Sequence, residues 1–207
     1  MRRLTSEADV AEGAAALAAR EPRFAHALAL TGPLPLRWRG DGFAGLLHVL
    51  VSQQLSVASA SAVWSRIEAA GVRCERTLAA TDDDALRACG LSRPKIRYAR
   101  ALGEARIDFE ALRAAPPEQA VERLTQVKGV GRWTAEVYLM FCVGHADIFA
   151  PGDLALQESA RLLFALPARP KPDALEAMAE AWRPWRAVAA RQLWAYYAVA
   201  KGREGVT

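Results

Sequence analysis

The stretch Leu124-Thr125-Gln126-Val127-Lys128-Gly129-Val130-Gly131-Arg132-Trp133-Thr134-Ala135-Glu136 decides how this chain is read. Two glycines one residue apart lie between two helical patterns. Glycine lets a backbone bend where a side chain would clash. The amides of such a turn point outward beside the start of the next helix, and the free N–H groups and the helix dipole there favour an anion. Lys128 and Arg132 flank the turn and add positive charge. A bare Gly-x-Gly is as a rule only a tight interhelical turn. Here an apolar first helix precedes it, and Thr134-Ala135 stands one step into a strongly apolar second helix.

Working outward, Pro151-Gly152-Asp153 comes next, with Asp153 22 residues after Gly131. Taken alone, Asp153 is the N-cap of the next helix. The two roles are compatible, because the dipole at that end favours a negative charge. One buried helix and a return loop separate the acid from the glycine turn. That spacing can bring the acid back beside it.

The rest of the chain reads as helix. Ala, Leu and Arg are abundant, hydrophobic residues make up 52% of 207, and alternating Val-Ile-Thr runs are scarce. Residues 5–20 carry a helix that Ser6 can cap, with Glu7 and Asp9 at its positive end. Thr31 to Pro35 breaks the pattern, and 37–42 is a loop. A helix starts at Phe43 and runs into Val51-Ser52-Gln53-Gln54-Leu55-Ser56. Another, from Val57 to Ala70, ends at Gly71. Asp82 to Asp84 and Ser92-Arg93-Pro94 open two more, and Pro116-Pro117-Glu118 opens the helix before the glycine turn. Trp133 to Val143 reads as one buried helix. The last helical region, 173–201, is interrupted at Pro184. The expected organisation is an N-terminal part, 1–42, packing with a C-terminal part, 148–207, around a central subdomain, 43–147.

The net charge of +4 and a pI near 9.2 agree with an anionic partner without establishing one. Only four of the 27 basic residues are lysine. That bias suits phosphate contacts and is equally the mark of codon usage. Cys74, Cys89 and Cys142 have no metal-binding spacing and suggest a reducing compartment. His26, His48 and His145 stand apart. No apolar run follows the first residues, and none is long enough to span a membrane. The expected location is the cytoplasm, at the nucleoid of a bacterium.

An apolar helix, a GVG turn, a buried helix, a Gly/Pro loop and then Asp153 together resemble the helix-hairpin-helix DNA glycosylase superfamily. Further motifs narrow the likeness to the 3-methyladenine DNA glycosylase II family. They are Val51 to Ser56, Gly90-Leu91-Ser92 with Lys95, Asp153-Leu154, Trp182 to Arg186, and Leu193-Trp194. The match is to a short form lacking an N-terminal β-rich domain. Val137 stands where a well-known member has an aromatic residue one helical turn after the tryptophan.

The resemblance implies an all-α fold of two helical subdomains, with the hairpin (about 118–143) and the active-site cleft between them. It implies a glycosylase that flips alkylated purines of the 3-methyladenine or 7-methylguanine type out of double-stranded DNA and hydrolyses the N-glycosidic bond. Asp153 would be catalytic, and Trp133 and Trp194 would line the base pocket. Leu55 would be the wedge and Gln54 would meet the orphaned base. From spacing alone Leu55 reads as core and the glutamines as caps. Lys128, Gly129, Val130, Gly131, Arg132 and Thr134 would bind phosphate. The carbonyls of Thr125, Val127 and Val130 would hold a structural Na+ or K+. No catalytic cofactor is implied, and no cysteine beyond Cys142 is present for an iron–sulfur cluster. Members that also cut the backbone carry lysine where this chain has Trp133, so the expected enzyme is monofunctional. The expected state is a monomer, without membrane contact. Two alternatives stay open: the same fold acting on uracil, a mismatched or an oxidised base, and a non-catalytic hairpin module that only binds DNA.

Overall fold

A computed structural model describes residues 2–202. Among them the chain is all-α, and its strand-like pairing is an isolated bridge between Arg3 and His145. The helices form two compact units. One comprises residues 1–38 and 139–207, the other 39–138.

The discontinuous unit begins with α1 (Glu7–Arg20) and α2 (Pro22–Thr31). Ser6 caps α1 through a full capping box with Asp9, as its sequence predicts. The chain then leaves for the continuous unit. That unit runs α3 (Phe43–Ser52), α4 (Val57–Ala69), α5 (Glu75–Ala80), α6 (Asp83–Ala88), α7 (Arg93–Glu104), α8 (Phe109–Ala114), α9 (Pro117–Thr125) and α10 (Arg132–Tyr138). Its core is a set of fully buried aliphatic side chains, among them Leu46, Leu50, Ile67, Leu86, Leu102 and Leu124. α3 packs on α4, α7 and α10, so this apolar helix is the hub around which the rest is placed. Helices α5 and α8 escape the sequence reading: six residues are too few to show a period, and α6, equally short, is legible only through its acidic first turn.

The chain returns through a π-helical turn, Leu139–Val143, then α11 (Leu154–Leu163), α12 (Pro172–Ala179), a 3-10 turn (Glu180–Trp182) and α13 (Arg186–Ala200). α13 packs on α1, α2 and α11. Trp182 sits among Phe24, Phe149 and Phe164, with ring centroids 5.3–5.8 Å away, and Trp185 is also buried.

Two expectations are corrected. The helix expected over 133–143 is α-helical only to Tyr138. The wider turn that follows exposes carbonyls which other segments satisfy: Leu139 O accepts the His145 N–H, Met140 O accepts Arg191 Nη2 and Val143 O accepts Arg3 Nη1. The boundary expected at 147 falls after Tyr138. Residues 139–147 belong with the chain's two ends, because Leu4 N–H donates to Gly144 O, Ala146 N–H to Arg2 O, and Ala187 N–H to Ala146 O.

Candidate active site

Asp153 begins α11 as its N-cap, with extended backbone (φ −73°, ψ 121°). Three donors converge on its Oδ1: the amides of Ala155 (2.9 Å) and Leu156 (3.0 Å), and the indole Nε1–H of Trp194 on α13 (3.1 Å). The loop before it is pinned, since Gln157 Nε2 donates to Pro151 O at 2.8 Å and Asp153 N–H donates to Ala150 O at 3.0 Å. Ser159 on α11 donates to Leu193 O on α13 at 2.6 Å, and this locks the two helices in register. The half-buried carboxylate therefore has little freedom to rotate.

Trp194 is only 8% exposed and lies against Phe141, with centroids 5.6 Å apart. Its indole N–H is committed to Asp153. A tryptophan in that position orients the acid, which is a different task from the open pocket wall expected of it. Phe141 is itself held by Arg191, whose guanidinium lies 4.5 Å from its ring centroid. Arg191 is buried and donates to three carbonyls, those of Leu36, Met140 and Ala187. Burial, with a smaller repulsion from Arg37, pulls its pKa down to about 9. Arg191, Phe141, Trp194 and Asp153 thus form one continuous stack in the discontinuous unit. Sequence offers no sign of it beyond the three-residue spacing of Arg191 and Trp194 on one helix.

The other candidates lie in the continuous unit. The turn between α9 and α10 is closed by Val130 N–H donating to Val127 O at 2.9 Å. Gly129 has φ +93°, and a Cβ there would come within 2.3 Å of Tyr98 Cγ. Gly131 lies outside the left-handed region, and a Cβ would meet nothing within 4 Å. So only the first glycine is required by the fold. Lys128, Gly131 and Arg132 are exposed and Val130 is buried. Arg132 Nε donates to the buried Glu136 at 2.8 Å, which orients its side chain. Thr134 is 2% exposed, and its hydroxyl accepts from Gln53 Nε2 at 2.7 Å. Its side chain is therefore an internal tie and not the phosphate ligand expected of it. What the residue offers an anion is its amide, in a first helical turn where N–H groups lack intrahelical acceptors.

Trp133 is half-buried on α10. Leu55 is 39% exposed and follows Gln54, whose φ is +57°. The core role that spacing alone suggests for Leu55 is excluded, because an apolar side chain here stands at a loop tip. Gln53 and Lys95, which the sequence shows only as parts of motifs without a role of their own, tie this loop to its surroundings. Gln53 Nε2 reaches Gly129 O (3.0 Å) as well as Thr134, and Lys95 Nζ reaches Val51 O (2.6 Å) and Gln53 O (2.8 Å). No group of three or more His, Cys, Asp or Glu side chains is placed to hold a metal ion among the described residues.

Comparison with known proteins shows which family the chain belongs to. The profile of the HhH-GPD superfamily of base excision DNA repair proteins matches residues 47–186. DNA-3-methyladenine glycosylase 1 of Schizosaccharomyces pombe is 32% identical over 163 residues, which cover 74% of this chain and 72% of that protein. The structure of S. pombe 3-methyladenine DNA glycosylase in complex with abasic DNA superposes with a TM-score of 0.80 at 26% identity. It covers 92% of this chain and 97% of that one. A DNA-3-methyladenine glycosidase from Bacillus halodurans superposes with a TM-score of 0.74 at 29% identity, covering 100% and 97%. The chain belongs to the HhH-GPD superfamily of base excision DNA repair proteins.

Proposed function

We propose that this protein is a monofunctional DNA glycosylase that removes alkylated purines from double-stranded DNA. The observation that carries the reading is Asp153, a carboxylate fixed by three N–H donors on one oxygen, in a chain of this family. Alkylation at N3 or N7 makes a purine cationic and a good leaving group, so the reaction needs no strong general acid. It needs stabilisation of the positive charge that develops on the sugar, and an oriented water. Asp153 supplies both. The relatives' names carry the same substrate class.

The hairpin grips a phosphate through its outward amides, with Lys128 and Arg132 beside them; this positions the enzyme without reading sequence. Leu55 enters the stack when the damaged nucleotide leaves it, replacing an unstacking cost of a few kcal/mol. Gln54 meets the orphaned partner, and the indole face of Trp133 attracts the cationic base. The carbonyls of Thr125, Val127 and Val130 would supply all-oxygen donors of the kind an alkali cation takes. Val127 O accepts one hydrogen bond and keeps a second lone pair. Na+ or K+ bound there would neutralise part of a nearby phosphate's charge. The enzyme acts as a monomer and uses no catalytic cofactor.

The test is release of free base from methylated duplex DNA, followed by strand cleavage only after alkali. Because Trp133 stands where a Schiff-base lysine would be needed, borohydride added during turnover traps no covalent adduct. A trapped adduct would overturn the monofunctional assignment. Absence of base release from methylated DNA, with release from uracil or 8-oxoguanine duplexes, would move the enzyme to another lesion.

Trp194→Phe tests the acid's support. The ring packing on Phe141 survives and the N–H is lost. A hydrogen bond to a charged group contributes about 1.5–3 kcal/mol. Single-turnover base release is expected to fall at least about tenfold, with duplex affinity unchanged. An unchanged rate would return Trp194 to a packing role.

A further inference from the structure

The Leu55 loop is held partly from within, by Gln53 N–H donating to Leu50 O at 3.3 Å and Leu55 N–H donating to Ser52 O at 3.2 Å. α3 ends at Ser52, and the Val51 carbonyl of its last turn lies where the helix supplies no further N–H. Lys95 Nζ covers it, and with it the carbonyl of Gln53 just beyond the helix. A cation at this end also suits the helix dipole. The position costs the ammonium part of its hydration, and its pKa is lowered by burial. Beyond it Gln54 is held in a left-handed conformation that a residue with a Cβ rarely adopts. Contacts from outside the loop add to those within it.

Gln53 is the connection. Its backbone carbonyl is on Lys95, while its side-chain amide donates to Gly129 O and Thr134 Oγ1, on either side of the glycine turn. Both acceptors are themselves immobilised. Thr134 is buried, and Gly129 is packed against Tyr98 too closely for a methyl group. Tyr98 and Lys95 are three residues apart on α7, so one helix face holds the loop with one side chain and the turn with the other.

We propose that Gln53 is a positioning residue that couples the hairpin turn to the Leu55 loop, setting the wedge in register with the gripped backbone. The inference rests on the reading of this protein as a DNA glycosylase. Gln53 touches neither base nor sugar in it; it acts through Leu55. A purely structural glutamine would, when removed, weaken every duplex complex alike. A coupling residue would spare the backbone grip and lose the step that needs the wedge.

The experiment compares wild type, Gln53→Leu and Thr134→Val on two duplexes. One is undamaged, and the other carries a tetrahydrofuran abasic analogue beside 2-aminopurine. Fluorescence of 2-aminopurine reports unstacking, and base release from methylated DNA is measured in parallel. The abasic analogue leaves a gap that the wedge can fill without flipping a base. Gln53→Leu is expected to bind undamaged duplex within about twofold of wild type, and to lose about tenfold or more of its preference for the abasic analogue. The fluorescence rise and base release fall with it. Thr134→Val removes one acceptor and shifts the preference in the same direction. It carries the test should Gln53→Leu fail to fold. The effects of the two substitutions are non-additive if they act through one contact. Retention of wild-type preference and base release by the folded variants would overturn the coupling. So would an equal loss of affinity for both duplexes. If wild type itself prefers neither duplex and releases no base, the glycosylase reading fails instead.

Discussion

Asp153→Asn abolishes base release while leaving the fold and duplex affinity nearly as they were: this is the largest effect expected on activity. Asn keeps an oxygen where Oδ1 accepts from Ala155, Leu156 and Trp194, so the geometry of the three donors survives. Asn also caps a helix about as well as Asp. The loss of charge at the start of α11 costs about 0.3–1 kcal/mol through the helix dipole. What disappears is the negative charge opposite the sugar cation. Removing one preorganised electrostatic partner costs on the order of 10²–10³ in rate, and a loss of at least that size is expected here. The measurement is single-turnover base release on one methylated duplex, with binding and melting temperature followed in parallel. Near-wild-type release would remove Asp153 from the mechanism and leave it as a cap. Asp153→Ala separates the roles further. It strands the indole N–H of a residue only 8% exposed, so it loses stability as well as activity.

The parts of this molecule legible in its sequence are those written locally. Ser6 with Asp9, Asp82, Ser92 and Asp153 all stand as side-chain caps where a helix was expected to begin. The glycine turn and the break at Pro184 were likewise open to reading. What was not legible depends on partners distant in the chain. Trp194 stands 41 residues from Asp153, and no periodicity says that its N–H meets that carboxylate. Gln53 and Thr134 are 81 residues apart, and each reads alone as a cap or a helical polar residue. The carbonyls of the π-helical turn are taken by Arg3 and Arg191, and this return to the chain's two ends moved the unit boundary from 147 to 138. The turn and the cap were more visible than their supports, because both are short-range objects. The side chains that hold them rigid are recruited from anywhere the fold passes.

The two glycines of the hairpin are expected to respond to substitution in opposite ways. Gly129 has φ +93°, and an added Cβ would lie 2.3 Å from Tyr98 Cγ and 2.5 Å from Tyr98 Cβ. The second of these atoms is tied to the α7 backbone and cannot swing away. Strain of about 1–3 kcal/mol adds to overpacking of about 1–3 kcal/mol. Gly129→Ala should therefore lower the melting temperature by roughly 4–24 °C in a protein of this size. Gly131 meets nothing within 4 Å and has no left-handed φ, so the fold does not require glycine there. An aspartate at that position would sit at the start of α10, where its charge adds about 0.3–1 kcal/mol to stability. Gly131→Asp should then fold at least as well as wild type. Its carboxylate would occupy the space offered to a phosphate and repel it. Affinity for every duplex should fall alike, by about tenfold or more, with a shallower dependence on salt because a backbone contact is gone. Melting curves and salt titrations of the two variants on one undamaged duplex decide the matter. Wild-type binding by Gly131→Asp would show that the open side of the turn faces no phosphate, and the GVG sequence would then be explained by Tyr98 and Gly129 alone.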